Sequence, residues 1–332
     1  MIRSVPQLVS VAAIAVGILL FVLTLFYIDL RETAESASRL GLALPVILIP
    51  GACWHLLRTW GWSVAFPDQS RPGFMRLFRV RLAADAISFF TVRGLFGEPL
   101  KVVLLYDRVP PEVTTAAVAL ERLAFALVGI VMAGAISFAA VTRLSMPGAW
   151  DTVFAALMVG AALSVALMTF VATRRTGDYL GRLVEIIDRL IGRRLEASRV
   201  VRFVLDVEDV LLQLLRGDRR RLLILAVLPI VCYFMMAMEV WLVFWAIGEP
   251  INVTQGLAIE TFARLASVAS AAIPGNIGAL EASNAAVVAA LGLGGGGALA
   301  LARRIRSLCW AAAGLALYPR IRSTQPPSNR AT

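Results

Sequence analysis

Eleven charged side chains fall inside or beside long apolar runs: Arg81, Glu98, Lys101, Glu121, Arg122, Glu260, Arg264, Glu281, Arg303, Arg304 and Arg306. One such charge at the centre of a membrane helix costs roughly 2.5–3.5 kcal/mol before it is paired. Guanidinium and ammonium groups in that setting can hold an anionic group while neighbouring carboxylates orient them. They can also form ion pairs that pin helices together. Buried ion pairs stabilise only weakly, so a set this large points to at least one binding cluster. The candidates for it are Arg81, Glu98, Lys101, Glu121, Arg122, Arg264, Glu281 and Arg304.

Other chemistries are poorly served. His55 is the only histidine, which leaves no basis for a His-based triad or metal site. Cys53, Cys232 and Cys309 each sit inside an apolar stretch; they make neither a disulfide framework nor a metal spacing and read as packing thiols. There is no paired-Asp metal motif. The Gly-rich run at 292–297 lacks a following Lys-Ser/Thr and any strand, so it reads as a mobile connector, not a phosphate loop. The sequence therefore predicts no metal, no cofactor and no enzymatic activity.

The elements that must position these charges are membrane helices. Hydrophobic residues make up 59% of the chain and charged residues 16%, more apolar surface than a soluble fold of this length can hide. The apolar runs are continuous over about 20 residues, which reads as helix and not barrel. The expected fold is all-α: a polytopic transmembrane bundle forming a single integral membrane domain over 1–322, with a disordered tail at 323–332. Spans are expected at about 7–28, 40–66, 113–141, 153–172, 222–247 and 298–318. The first begins with an unbroken run from Val11 to Ile28, too long for a signal-peptide core, and is expected to stay uncleaved.

Two further stretches are apolar but interrupted. Residues 82–108 carry Asp85, Arg93, Gly94, Gly97, Glu98, Pro99 and Lys101, and 256–293 is broken at Ile273-Pro274-Gly275-Asn276-Ile277-Gly278. A straight lipid-facing helix does not tolerate such breaks, whereas half-helices around a protein-lined cavity do. Both stretches are expected to be re-entrant hairpins. Between them, 174–221 is the long polar segment, with twelve Arg and eight acidic residues. Leu180, Leu183, Ile187, Leu190 and Ile191 recur there at helical spacing, the mark of an amphipathic surface helix.

The net charge of +10 is spread over loops between apolar spans. That pattern follows the positive-inside rule and gives no nucleic-acid partner. It puts 67–81, 174–221 and both termini on the cytoplasmic side of a bacterial inner membrane, with the two hairpins entering from opposite faces. Overlaying 81–98 on 264–281, an offset of 183, matches Arg81 with Arg264, Leu82 with Leu265, Ala83 with Ala266, Ala86 with Ala269 and Glu98 with Glu281. The shared Arg-to-Glu spacing suggests an inverted repeat.

Four stretches resemble a known family. They are Val92-Arg-Gly-Leu-Phe-Gly97-Glu98-Pro-Leu-Lys101, Glu121-Arg122-Leu123, Ile273-Pro274-Gly275-Asn276-Ile277-Gly278-Ala-Leu-Glu281, and Arg304-Ile-Arg306-Ser-Leu with Gly314. Together they resemble the lysylphosphatidylglycerol synthase transmembrane-domain family, the flippase-like domain proteins, including the group associated with hopanoid biosynthesis. The turn departs from the family pattern, with Thr91 where Pro is common. The resemblance implies transport of a lipid between leaflets, with Glu281 and the arginines near the cavity. The longest polar stretch is under 50 residues, too short for the aminoacyl-transferase domain of bifunctional members.

The expected function is translocation of a polar or anionic lipid, such as a phospholipid, glycolipid, isoprenoid-linked lipid or hopanoid. The alternatives are a non-catalytic scaffold and an integral-membrane transferase of a lipid or cell-envelope pathway. Lipid-biosynthesis enzymes at the cytoplasmic face are the expected protein partners.

Overall fold

A computed structural model describes residues 40–91, 96–144, 147–173, 199–271, 273, 276 and 279–319. The expected span at 7–28, the hairpin tips at 92–95 and 274–275, the amphipathic pattern from Leu180 to Ile191 and the tail lie outside the described residues.

Ten α-helices make up the described chain: α1 Leu44–Val64, α2 Phe74–Phe90, α3 Gly97–Leu105, α4 Pro111–Arg143, α5 Gly148–Thr173, α6 Arg199–Arg216, α7 Arg219–Ala246, α8 Val253–Ala269, α9 Ala279–Ala290 and α10 Gly296–Ala316. No strand occurs among the described residues. Local signals explain several boundaries. Asp218 caps α7 by accepting from the Arg220 backbone N–H at 2.8 Å, and Asn252 with Gln255 forms a reciprocal capping box at the start of α8. Helix α2 begins at Phe74, so Arg76, Arg79 and Arg81 lie on it and not in the loop expected at 67–81. No Gly or Pro interrupts Phe74 to Phe90, and Arg76 is tied to the Leu104 carbonyl at the end of α3 and to Asp107 just beyond it.

Among the described residues, three helices are long and apolar enough to cross a membrane: Pro111–Arg143, Gly148–Ala166 and Arg219–Ala246. Half of the most apolar window of α7 is buried, against 17% for α4 and 11% for α5. Helix α7 is therefore central, while α4 and α5 turn residues such as Val131, Phe138, Val159 and Leu163 outward. A shared outer apolar face of this kind suits lipid as solvent.

Two apolar cores lie at opposite ends of α1 and α7. One joins Trp62 and Val64 of α1 with α2, α3, the start of α4 and Leu225 of α7. The other joins Ile47 of α1 with Val240 and Phe244 of α7, and with α8, α9 and Leu299 of α10. Helices α1 and α7 pack directly on each other and, by this order, run antiparallel. The pair α2 and α3 belongs to one end and the pair α8 and α9 to the other. Further packing joins α2 with α10, α8 with α4, α4 with α7 and α1 with α10.

Within the expected amphipathic segment, α6 presents its apolar side to the first core. Leu214 is buried there, with Val207, Val210, Leu211 and Leu215 against the same cluster. The bundle covers this face. The Gly-rich run is also more fixed than a free connector. Gly292 takes a left-handed φ of 72°, Gly294 donates its N–H to Glu249 Oε2 at 3.0 Å, and α10 already begins at Gly296.

Candidate functional site

The helices gather the intramembrane charges into two clusters. In the first, Glu121 of α4 is fully buried and its Oε1 accepts from Arg58 Nη2 of α1 at 2.6 Å and from Arg81 Nη2 of α2 at 2.9 Å. Arg81 also donates to the Arg58 carbonyl at 3.0 Å. Its Nε lies 3.7 Å from Asp85 Oδ2. On α3, Glu98 accepts from Lys101 Nζ at 2.9 Å and pairs with Arg122 of α4. The Arg58 guanidinium lies over Phe125, 4.2 Å from its centroid, a stacking geometry that Arg adopts and Lys does not reproduce.

The second cluster lies on α7 to α10. Glu260 of α8 accepts from Arg264 Nε at 2.8 Å through one oxygen and from Arg303 Nη2 of α10 at 2.7 Å through the other. Arg303 also donates to Asn284 Oδ1 of α9 at 2.8 Å. Glu281 of α9 pairs with Arg304 of α10, and Arg306 pairs with Glu239, fully buried on α7. The Arg264 guanidinium lies 4.2 Å from the Tyr233 centroid, and the Tyr233 hydroxyl shares a 2.6 Å hydrogen bond with Thr261. Among the described residues, four cations meet three carboxylates in each cluster.

Between the clusters lies a cavity of about 1110 Å³, at the upper end of the range for small-molecule sites. Arg58, Arg122, Arg264, Arg303, Arg304 and Arg306 reach its surface. Apolar side chains line it too, among them Phe125, Ala126, Ile130 and Ala133 of α4 with Leu157 and Ala161 of α5. Helices α4 and α5 approach each other closely. A Cβ on Gly134 would come 2.7 Å from that of Ala161.

The eight sequence candidates divide in two. Arg122, Arg264, Glu281 and Arg304 line the cavity. Arg81, Lys101 and Glu121 are each at most 1% exposed and stand behind its wall, where Glu121 and Arg81 fix Arg58 and Lys101 holds Glu98. Glu98 also stands behind the wall and holds Arg122. Glu239 and Asn284 join the site without having been sequence candidates. The signal for Glu239 is a lone carboxylate inside a long apolar helix, where an unpaired charge is not tolerated. No group of His, Cys, Asp and Glu among the described residues could hold a metal ion.

Comparison with known proteins adds the family. Residues 10–316 match the model of the lysylphosphatidylglycerol synthase TM region. The chain belongs to this family. No curated protein and no solved structure matches it. The match takes in both clusters and the cavity, and it occupies nearly all of this sequence, leaving no stretch of it for a transferase domain. Family and apolar helices together identify a membrane protein built as a flippase-like domain.

Proposed function

We propose that this protein moves a polar or anionic lipid between the leaflets of a bacterial inner membrane, acting as a translocator and not as an enzyme. The observation that carries the reading is the mixed lining of the cavity, with arginines from α1, α4, α8 and α10 beside apolar side chains of α4 and α5. An amphiphile fits such a chamber with its head group at the arginines and its chains along the apolar side chains. Moving the head group through hydrocarbon unaided is costly, because its polar groups lose their hydrogen bonds. A chamber lined with paired charges replaces the lost hydration.

The arrangement of helices supports two re-entrant hairpins related as an inverted repeat. Exchanging α1 with α7, α2 with α8, α3 with α9 and α4 with α10 leaves the packing pattern among these eight helices unchanged. The ion pairs follow the same exchange. Glu98 pairs with Arg122 in one half and Glu281 with Arg304 in the other. Each pair joins the second arm of a hairpin to the helix after it. Hairpins entering from opposite faces around a midplane site would let the cavity open to either side in turn.

The test is leaflet exchange in vesicles reconstituted with the purified protein, using labelled anionic, zwitterionic and uncharged lipids. Wild type should accelerate exchange of one head-group class, and Glu281→Gln should abolish most of the acceleration while remaining folded. Absence of exchange for every lipid by a folded protein would overturn the reading in favour of a scaffold.

A further inference from the structure

Where α1, α2 and α10 meet, three residues of the cavity wall carry polar atoms that no other described residue completes. His55 Nδ1, Asp85 Oδ2 and Trp310 Nε1 are each buried without a hydrogen-bond partner among the described residues. All three residues line the cavity. His55 is only 7% exposed. Its Nδ1 is 3.8 Å from Asp85 Oδ2, and its ring centroid is 4.7 Å from that of Trp310. A Cβ on Gly51 would come 3.0 Å from both Trp310 Nε1 and Arg306 Cδ, so the glycine lets the indole edge and Arg306 pack against α1. Unmade hydrogen bonds at three adjacent buried atoms are costly unless a ligand or water completes them.

The atom types narrow what that ligand is. Trp310 Nε1 only donates, an ionised Asp85 only accepts, and His55 Nδ1 does either according to its tautomer. The charge of Asp85 is offset by Arg81 Nε at 3.7 Å, so the trio does not demand an ion. A phosphate offers acceptors alone and leaves Asp85 unserved. A primary ammonium offers donors alone and leaves Trp310 unserved. A hydroxyl does both, and two adjacent hydroxyls complete all three atoms.

We infer that His55, Asp85 and Trp310 form a hydroxyl subsite that takes the polyol part, a glycerol or a sugar-like ring, of a lipid head group whose anionic part meets the arginines of the same cavity. The inference rests on the cavity being the lipid site proposed above, and not on transport itself.

Binding is measured on the purified full chain in detergent with four dihexanoyl lipids sharing one phosphodiester: phosphatidylglycerol, phosphatidylinositol, phosphatidylethanolamine and phosphatidylmethanol. The glycerol or the inositol lipid should bind about tenfold more tightly than the methanol lipid, a difference of about 1.4 kcal/mol; the better of the two identifies the polyol. Trp310→Phe, which deletes the N–H and keeps an aromatic ring, should collapse that ratio towards one, as should His55→Phe. Trp60→Phe, at an exposed α1 position, should preserve it. Equal affinity for all four lipids in wild type would overturn the subsite and leave the three atoms to water. Tightest binding of the ethanolamine lipid would also overturn it, making Asp85 a counter-ion. So would a polyol preference that survives both aromatic variants. Leaflet exchange on the same preparations separates the two ideas: polyol preference without exchange keeps the subsite and removes translocation, and exchange without preference does the reverse.

Discussion

Arg81 Nη2 on α2 lies 2.9 Å from Glu121 Oε1 on α4, with the two side chains 0% and 1% exposed. The same oxygen also accepts from Arg58 of α1, so three helices are joined through one carboxylate. Removing one partner of such a network leaves an uncompensated buried charge. Glu121→Gln is expected to destabilise the protein by about 3–5 kcal/mol, read as a lower Tm in detergent and a lower folded yield. Adding Arg81→Gln should recover part of the loss, because one of the stranded guanidiniums is then gone. An unchanged Tm for Glu121→Gln would show that the network does not hold the bundle.

Arg264 should behave differently. It lines the cavity with a third of its side chain exposed, and its partner Glu260 keeps Arg303 when it is removed. Arg264→Gln is expected to leave Tm close to wild type while slowing exchange of an anionic lipid by roughly ten- to a hundredfold, as for a lost hydrogen bond to a charged group. Arg81→Gln should show the reverse, losing fold before function. Parallel Tm and exchange measurements on the two variants check the division between cavity surface and wall.

The two corresponding ion pairs should each act as a unit. Glu281→Gln and Arg304→Gln remove opposite ends of one pair, as Glu98→Gln and Arg122→Gln do in the other half. Within a pair, the double variant should slow exchange little more than the worse single one, since contacting residues are not additive. Combining one variant from each half should give close to the product of the separate effects. A double-mutant cycle on exchange rates measures both, and additive behaviour within a pair would count against the coupling.

Gly314 sets the approach of α10 to α2. A Cβ there would stand 2.2 Å from the Leu82 carbonyl oxygen, so Gly314→Ala must push the helices apart. In an exposed helix the same change would gain up to about 1 kcal/mol; here it should lower Tm. Gly297→Ala, on the same helix with nothing within 4 Å of the new methyl, is the control and should be neutral or slightly stabilising. Equal behaviour of the two would refute the tight crossing.

Much of the architecture is legible in the chain itself. Apolar runs of span length mark α4, α5 and α7, and the interrupted stretches 82–108 and 256–293 contain the helix ends at Phe90 and Ala269. These signals are local, because helix formation in an apolar solvent depends on nearby sequence. The start of α2 is not legible in the same way, because arginines at 76, 79 and 81 read as a charged loop. Partners distant in sequence settle two of these positions on the helix, Asp107 for Arg76 and Glu121 for Arg81, and Arg79 is exposed.

The site is legible in composition and not in assignment. The sequence alone determined that rare charges such as Arg264, Glu281 and Arg304 must sit somewhere protein-lined, since hydrocarbon does not tolerate them unpaired. It also determined the Arg-to-Glu spacing common to the two interrupted stretches. Only the tertiary structure decided that Glu121 and Arg81 stand behind the wall while Arg264 and Arg122 face the cavity. It alone brought His55, Asp85 and Trp310 together from three separate helices. Periodicity fixes which face of a helix a residue occupies, but which neighbour covers that face depends on packing between segments up to two hundred and more residues apart, and no local pattern encodes it.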